Sequence, residues 1–144
     1  MVVLTLFLVL GSFALLVSTD TYRGSSFRSD RDLLVALLQH ARAQSISNVC
    51  AGSSCADDGA KHGVHVDGTN HIYTAFTGTS YVAGDPQNQI FEEAPTVTPT
   101  PTTFDVVFNQ LDGTIASAQT IKLDALGKTS TITIDPSGKI SWTN

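Results

Sequence analysis

The chain has 144 residues and a formal net charge of −5 at pH 7, and this length predicts one domain with an appendage. Charge is unevenly divided, because residues 20–49 carry four arginines and three aspartates whereas residues 50–144 carry four lysines and ten acidic residues. The acidic part would repel a phosphate backbone, which argues against nucleic-acid binding by it.

The first predicted element is an apolar run from Met1 to Thr19, which ends before the first charge, Asp20. A secretory signal would need a basic segment before its apolar core, and the first basic residue here is Arg23. The segment LVSTD also lacks a good cleavage site. The run reaches about the 20 residues of a membrane-spanning helix, so we expect a spanning or partly spanning helix rather than a cleaved signal. A charged leader that has been removed would make Met1 a mature N-terminus.

A second helical pattern, over residues 27–49, is amphipathic. Residues of one face recur every three or four positions, and we expect this face to pack on the rest of the chain: Leu34, Leu37, Leu38 and Ala41, followed by Ser45. Gly24, Ser25 and Ser26 either cap a separate helix or lie within one continuous helix. A continuous helix over residues 2–47 would be about 69 Å long, so we expect part of it to project beyond a small domain. The arginines of this region suit either anionic lipid head groups and acidic neighbours or a solvated helix face.

The two cysteines lie in the segment NVCAGSSCADDG, directly after the second helical pattern. In an exported domain this short loop predicts a disulfide between Cys50 and Cys55. A zinc site is the alternative, because His62 and His65 follow and would complete a set of four nitrogen and sulfur ligands. The loose cysteine spacing, and the strand-like alternation around the histidines, favour the disulfide.

After the cysteine loop the apolar period changes to two, which predicts strands. Two segments predict hairpins: GVHVDGTNHIYTAF, with a turn at residues 67–70, and TSTITIDPSGKISWTN, with a turn at residues 135–138. Alternating apolar residues predict further strands around Phe104, Val106, Phe108, Ile121 and Leu123. The segment EEAPTVTPTPTTF carries three prolines, which exclude a central strand and predict an extended loop, either a surface crossover or a glycosylated stalk.

No catalytic motif stands out, because the sequence lacks G-x-G-x-x-G, H-E-x-x-H, G-x-S-x-G and a P-loop. We therefore expect neither an enzyme nor a bound cofactor or metal. We expect the four histidines to be surface or strand residues rather than bases: His40, His62, His65 and His71. Asp57, Asp58 and Asp67 could bind calcium, but they lack the EF-hand spacing and suit surface turns.

The segment RDLLVALLQHARAQSISNVC, after an apolar helix, resembles the stem of type IV pilin-like proteins. It is most similar to the H-type minor pseudopilins of type II secretion and the related minor pilins. That family shows a pattern like D-L-x-x-A-L-x-x-A-R-x-x-A-I. This chain follows it with one additional residue between Leu37 and Ala41 and with Ser45 in place of alanine, and the matches are Asp32, Leu33, Ala36, Leu37, Ala41, Arg42 and Ile46. The C-terminal ITIDPSGKISW resembles the closing hairpin of the family. The resemblance covers residues 1–50 well, residues 104–144 in part, and residues 56–103 little.

The resemblance implies an α+β lollipop, in which a long N-terminal α-helix packs on an antiparallel β-sheet head. The helix would have an apolar protruding half and an amphipathic half. The parts would be a membrane and filament-core helix (residues 1–26), an amphipathic helix that packs on the head (residues 27–49) and the β head (residues 50–144).

The resemblance also implies a single pass through the cytoplasmic membrane, leader removal by a prepilin peptidase and N-methylation. An inner-membrane assembly platform would then build copies of the chain and other pilins into an extracellular filament. The apolar run would be a membrane anchor first and a filament core afterwards. The filament-assembly residues would be Met1, Val2, Val3, Leu4, Thr5, Leu6, Phe7, Leu8, Val9, Leu10, Phe13, Leu15 and Leu16.

The chain departs from the family pattern at its N-terminus. Family members usually begin with Phe and carry Glu at the fifth mature position, where it is thought to meet the N-terminal amine of a neighbour; this chain has Met1 and Thr5. The proline common near the end of the apolar stretch is also missing. Thr5 therefore suggests an unusual filament class or a position at the filament tip.

We accordingly expect a structural subunit of a type IV pilus-like filament. One alternative is a minor pseudopilin that primes a type II secretion filament. The other is a monomeric membrane-anchored protein whose head binds a ligand outside the cell.

Overall fold

The computed structural model describes the backbone of residues 2–50 and 60–144, and the side chains of residues 24–50 and 60–144. Its first element is one helix, α1 (Val2–Ile46), which passes through Gly24 and the two serines after it without a break. At 1.5 Å per residue its 45 residues span about 67 Å. Of the two arrangements that the sequence left open, the continuous helix is the one observed.

Within the described residues, eight strands follow the helix and form two four-stranded sheets, in which every pairing is antiparallel. The first sheet has the order β3-β2-β1-β5 and the second has the order β4-β6-β7-β8. The strand bounds are β1 (His62–Asp67), β2 (Ile72–Thr77), β3 (Gln89–Glu92), β4 (Thr98–Thr100), β5 (Thr103–Phe108), β6 (Gln119–Ala125), β7 (Lys128–Ile134) and β8 (Ile140–Thr143). The chain is α+β, with one N-terminal helix packed on antiparallel sheets, and the predicted fold class is confirmed.

Both predicted hairpins are present, with the expected turns. β1 and β2 pair up to Asp67 and Ile72, and the Asp67 carboxylate accepts hydrogen bonds from the backbone N–H groups of Thr69 and Asn70, each at 3.1 Å. Hydrogen bonds from Asn70 also lower the pKa of the Asp67 carboxyl. In the second hairpin, β7 and β8 place Ile132 opposite Trp142. These turns form because Asp and Asn side chains satisfy the backbone groups that a turn leaves unpaired.

Two short strands were not predicted. No pattern in the sequence predicted β3, and β4 lies inside the proline-rich segment that we predicted to be an extended loop. Both are edge strands. An edge strand tolerates proline, because the missing N–H can face away from the ladder, so Pro99 pairs with Leu123 of β6 on one side alone.

The core lies between the second half of α1 and the inner faces of the two sheets. From the helix it takes Leu34 and Leu38, both 0% exposed, together with Leu37, Ala41, Phe27 and Val35. From the sheets it takes Val64, Val66, Tyr73, Val106, Phe108, Ile121, Leu123, Ile132 and Ile134, with Val97 and Ile115 from the loops. Each α1 residue that the periodicity placed on the packing face is therefore buried.

The predicted Cys50–Cys55 disulfide stays a prediction, because Cys55 lies outside the described residues. Asp57 and Asp58, which we considered as calcium ligands, also lie outside them.

Candidate functional site

The candidate site is the helix α1, because its resemblance to the stem of pilin-like proteins implies a role in assembly. Over residues 24–46 one face lies against the sheets and the other is open. The exposed residues again recur every three or four positions: Ser25, Arg28, Ser29, Asp32, Ala36, Gln39, His40, Ala43 and Ile46. This spacing defines a continuous solvent-facing stripe, which a neighbouring molecule could contact without displacing the head.

The C-terminal end of α1 is tied by polar contacts to the first sheet and to the connections that contain Gly113 and Ser137. The Ser45 hydroxyl accepts a hydrogen bond from the N–H of His62 at 3.0 Å and donates one to the carbonyl of Phe108 at 3.3 Å. Arg42 donates to the carbonyls of Gly113 and Ser137, each at 3.3 Å. The position where the pilin-like pattern has alanine thus carries a hydroxyl that joins the helix to β1 and β5. Periodicity placed Ser45 on the packing face, but it could not identify these partners.

The two histidines that we considered as zinc ligands have other roles in the structure. Nε2 of His62 lies 2.7 Å from the carbonyl of Val49, to which it can donate. His65 lies 2.6 Å from the Asp105 carboxylate through Nδ1, and its ring stacks on Tyr81 with centroids 3.9 Å apart. Within residues 24–50 and 60–144, no three His, Cys, Asp or Glu side chains come together in a way that could hold a metal ion.

Nearer the apolar run, a buried polar cluster joins α1 to the first sheet. We name it the carboxyl cluster and define it by Asp30 on α1, Tyr73 on β2 and Glu93 just after β3. The Tyr73 hydroxyl lies 2.8 Å from Oδ2 of Asp30 and 3.1 Å from Oε1 of Glu93. The backbone N–H of Ala94 donates to Oδ1 of Asp30 at 2.9 Å. A cleft of about 500 Å³ lies beside the cluster, between α1 and residues 92–95.

Burial dominates the electrostatics of the carboxyl cluster. It raises the pKa of Asp30, although hydrogen bonds from Ala94 and Tyr73 act in the opposite direction. It also raises the pKa of Glu93 to about 7, with a further increase from the nearby Asp30 charge. The pKa of Tyr73 is raised by burial and by both carboxylates, so its hydroxyl keeps its proton. No local pattern indicated this cluster, because Asp30 and Tyr73 lie 43 residues apart and Tyr73 and Glu93 lie 20 residues apart.

The predicted assembly residues, from Met1 to Leu16, lie outside the described side chains. In the part of the chain whose side chains are described, no helix is long and apolar enough to cross a membrane. Placement in a membrane or in a filament core is therefore a matter for proposal.

Comparison with known proteins identifies a similar fold. The crystal structure of the type IV minor pilin FimU from Pseudomonas aeruginosa strain PAO1 matches with a TM-score of 0.60 and 16% sequence identity. The match covers 81% of this chain and 92% of FimU. No family model and no curated protein sequence matches this chain. At this identity the likeness concerns the fold, and the chain therefore has a pilin-like fold.

Proposed function

We propose that this chain is a structural subunit of a type IV pilus-like filament and assembles through its N-terminal helix. The observation that carries the proposal is the match over 92% of the minor pilin chain in its crystal structure, with a single helix from Val2 to Ile46 preceding the sheets. The open stripe on residues 25–46 adds support, because it leaves one side of the helix available to other subunits.

Each part of the chain has its own role in the proposed assembly. Residues 1–26 would anchor the subunit in the cytoplasmic membrane and then form the filament core, residues 27–49 would hold the head, and residues 50–144 would form the outer surface. Apolar side chains lose little on transfer from lipid to a bundle of apolar helices, which makes the exchange reversible and dependent on packing. Processing by a prepilin peptidase and N-methylation would precede assembly, as in the pilin-like proteins that the stem resembles.

Within this class, a minor subunit is the finer form of the proposal. It is supported by the D-L-x-x-A-L-like pattern in the stem and by Thr5, which has no charge with which to meet a neighbour's N-terminal amine. A subunit at a filament tip has no such amine to meet. The same pattern fits a minor pseudopilin that primes a secretion filament, and the two differ in whether the chain reaches the cell surface.

The test introduces a charge into the apolar run. We expect Leu8→Lys to leave the head folded and to abolish incorporation into fibres, because a lysine in the middle of an apolar helix costs roughly 2.5–3.5 kcal/mol on insertion scales. The measurement compares the amount of this chain in sheared surface fibres with its total amount in cells. Leu8→Ile is the matched control and should assemble normally, because it changes shape but not polarity.

Two variants of Thr5 refine the result. Thr5→Val should assemble normally, because no charge is lost, and Thr5→Glu should assemble at least as well if a neighbour's amine lies within reach. Normal fibre yield from Leu8→Lys would show that the run is not a filament core. The monomeric ligand-binding protein would then be the better interpretation.

A further inference from the structure

The carboxyl cluster contains three acidic groups in a row, and each is almost completely shielded from water. Asp30 is 4% exposed, Tyr73 is 0% exposed, and the side chain of Glu93 is 0% exposed. The row crosses from α1 to the first sheet, so its hydrogen bonds join the helix to the head. Charges buried in this way are stable when each is paired or hydrogen-bonded, and costly otherwise.

The number of protons on the three groups determines how many hydrogen bonds they can form with one another. A tyrosine hydroxyl has a single proton to donate, and an ionised carboxylate can only accept. Tyr73 therefore cannot donate to Asp30 and Glu93 at once. If both carboxyls were ionised, one of the two contacts, at 2.8 Å and 3.1 Å, would bring two electron-rich oxygens together without a proton between them.

The surroundings indicate which carboxyl holds the extra proton. Asp30 has a second donor, the N–H of Ala94, and its contact with Tyr73 is the shorter one. Oε2 of Glu93 makes no hydrogen bond within the described residues, and Nδ1 of His71 lies 3.5 Å from it. A protonated Glu93 can donate to Tyr73, which then donates to Asp30, and both contacts become hydrogen bonds.

We propose that the carboxyl cluster is a proton-binding site that fastens α1 to the head, and that the fastening weakens when Glu93 loses its proton. The proposal does not depend on the filament, because every group in it belongs to one chain. Loss of the proton leaves two carboxylates competing for one hydroxyl at the helix–sheet contact. The cleft between α1 and residues 92–95 gives water a route to the separated charges.

Other titratable groups lie around the Glu93 carboxyl and affect how tightly it holds its proton. Nδ1 of His71, in the turn between β1 and β2, lies 3.5 Å from Oε2 of Glu93, and a positive charge there lowers the pKa of the carboxyl. Glu92, on β3, is exposed and lines the same cleft. On α1, Arg31 follows Asp30 in the sequence and contacts Asp32 and Asn144 instead.

The sign of the pH dependence follows from these pKa directions. The pKa of Glu93 is raised from 4.5 to about 7, so the folded chain binds a proton more tightly than the unfolded chain does. The contribution to stability is complete below pH 4.5, falls as the pH rises toward 7, and is absent at higher pH. The raised pKa of Asp30 acts in the same direction.

The first experiment follows the protonation of Glu93 itself. In the full-length chain in detergent micelles, the ¹³C shift of the Glu93 carboxyl is recorded against pH, and Glu92 serves as the exposed reference. We expect Glu93 to titrate near pH 7. A Glu93 carboxyl that is already ionised at about pH 5 in the folded chain would overturn the proposal.

The second experiment measures how the folding equilibrium depends on pH. For the natural chain we expect the folding constant to fall by up to about tenfold for each pH unit across the window from 4.5 to 7. Glu93→Gln should abolish most of this dependence, because an amide stays neutral, whereas the matched control Glu92→Gln should keep it. An unchanged pH dependence of the folding constant in Glu93→Gln would contradict the proposal. If that variant does not fold, the titration of the Glu93 carboxyl in the natural chain tests the proposal by itself.

A third variant separates proton binding from simple packing. Tyr73→Phe keeps the ring but removes the hydroxyl that, in the proposed row, accepts a hydrogen bond from protonated Glu93 across the 3.1 Å contact. Loss of this acceptor destabilises the protonated carboxyl, so we expect the Glu93 midpoint to move to lower pH in this variant. A midpoint that stays in place would show that Tyr73 does not share the proton.

Discussion

At the scale of single residues, the β6–β7 hairpin contains a leucine in a backbone conformation that leucine rarely adopts. Its two loop residues, Leu126 and Gly127, have φ angles of 47° and 82°. A two-residue loop with positive φ at both positions favours Asn-Gly, because a branched side chain crowds the backbone in this conformation. Leu126 gains little in return, since its side chain is 63% exposed.

Leu126→Asn should therefore stabilise the head by about 1 kcal/mol. The measurement is the midpoint of thermal unfolding of the full-length chain in detergent. Leu126→Ala is the control, because it also removes the exposed apolar side chain but gains no preference for positive φ. If Leu126→Asn melted at the same temperature as Leu126→Ala, backbone strain would not be the cause.

At the same scale, some contacts could be foreseen and others could not. Ser45 was placed on the packing face by its spacing from Ala41, and the structure buries it completely. Its partners, the N–H of His62 and the carbonyl of Phe108, come from strands 17 and 63 residues further along the chain. Sequence period identifies a face of a helix, but it carries no information about what lies opposite.

At the scale of elements, α1 depends on its buried face more than on its own helical propensity. Leu38 is 0% exposed in the core, whereas its neighbour Gln39 is exposed. Most helical stability in proteins comes from such tertiary packing, so the two positions should respond very differently to the same substitution.

Leu38→Ala should reduce the free energy of unfolding by about 2–5 kcal/mol, because it removes buried methyl groups and leaves a cavity. Gln39→Ala, the matched control, should change it by no more than about 0.5 kcal/mol. Denaturant unfolding followed by the fluorescence of Trp142, the one tryptophan of the sequence, reports on both variants. Equal effects of the two substitutions would mean that the helix face does not hold the head.

Among the strands, the local sequence pattern was sufficient to predict a pairing where both strands and the turn between them lie in one short segment. The β1–β2 and β7–β8 hairpins were predicted because alternation and turn residues occur together. β3 and β4 were missed because they have only four and three residues and lie at sheet edges. Such strands form when a longer neighbouring strand provides backbone hydrogen-bond partners, and this pairing depends on the tertiary structure.

At the scale of the whole molecule, the structure indicates where the head can be separated from the apolar run. A fragment that begins near Arg28 would lose Phe27, which is 4% exposed and belongs to the core. Gly24 is also buried, and the flexible end of the Lys128 side chain from β7 lies close to it. The head should therefore be cut before residue 24 rather than near residue 28.

We expect the fragment of residues 24–144 to be a soluble monomer with a cooperative melt and mainly β secondary structure. It keeps the core, the carboxyl cluster and both cysteines, and it lacks the apolar run. Sedimentation and circular dichroism test this expectation, and a fragment that begins at Arg28 is the comparison, with a lower melting temperature. Aggregation of the longer fragment without a melt would mean that the apolar run belongs to the fold.

The sequence by itself determined the class of this protein: one long helix, then strands, with a packing face on the helix and two hairpins. These features depend on period and turn chemistry within short segments, where the information is local. Only the tertiary structure decided the order of the two sheets, the edge strands and the carboxyl cluster. Asp30, Tyr73 and Glu93 come from three elements, and their protonation depends on mutual distance and on exclusion from water, neither of which is defined until the chain has folded.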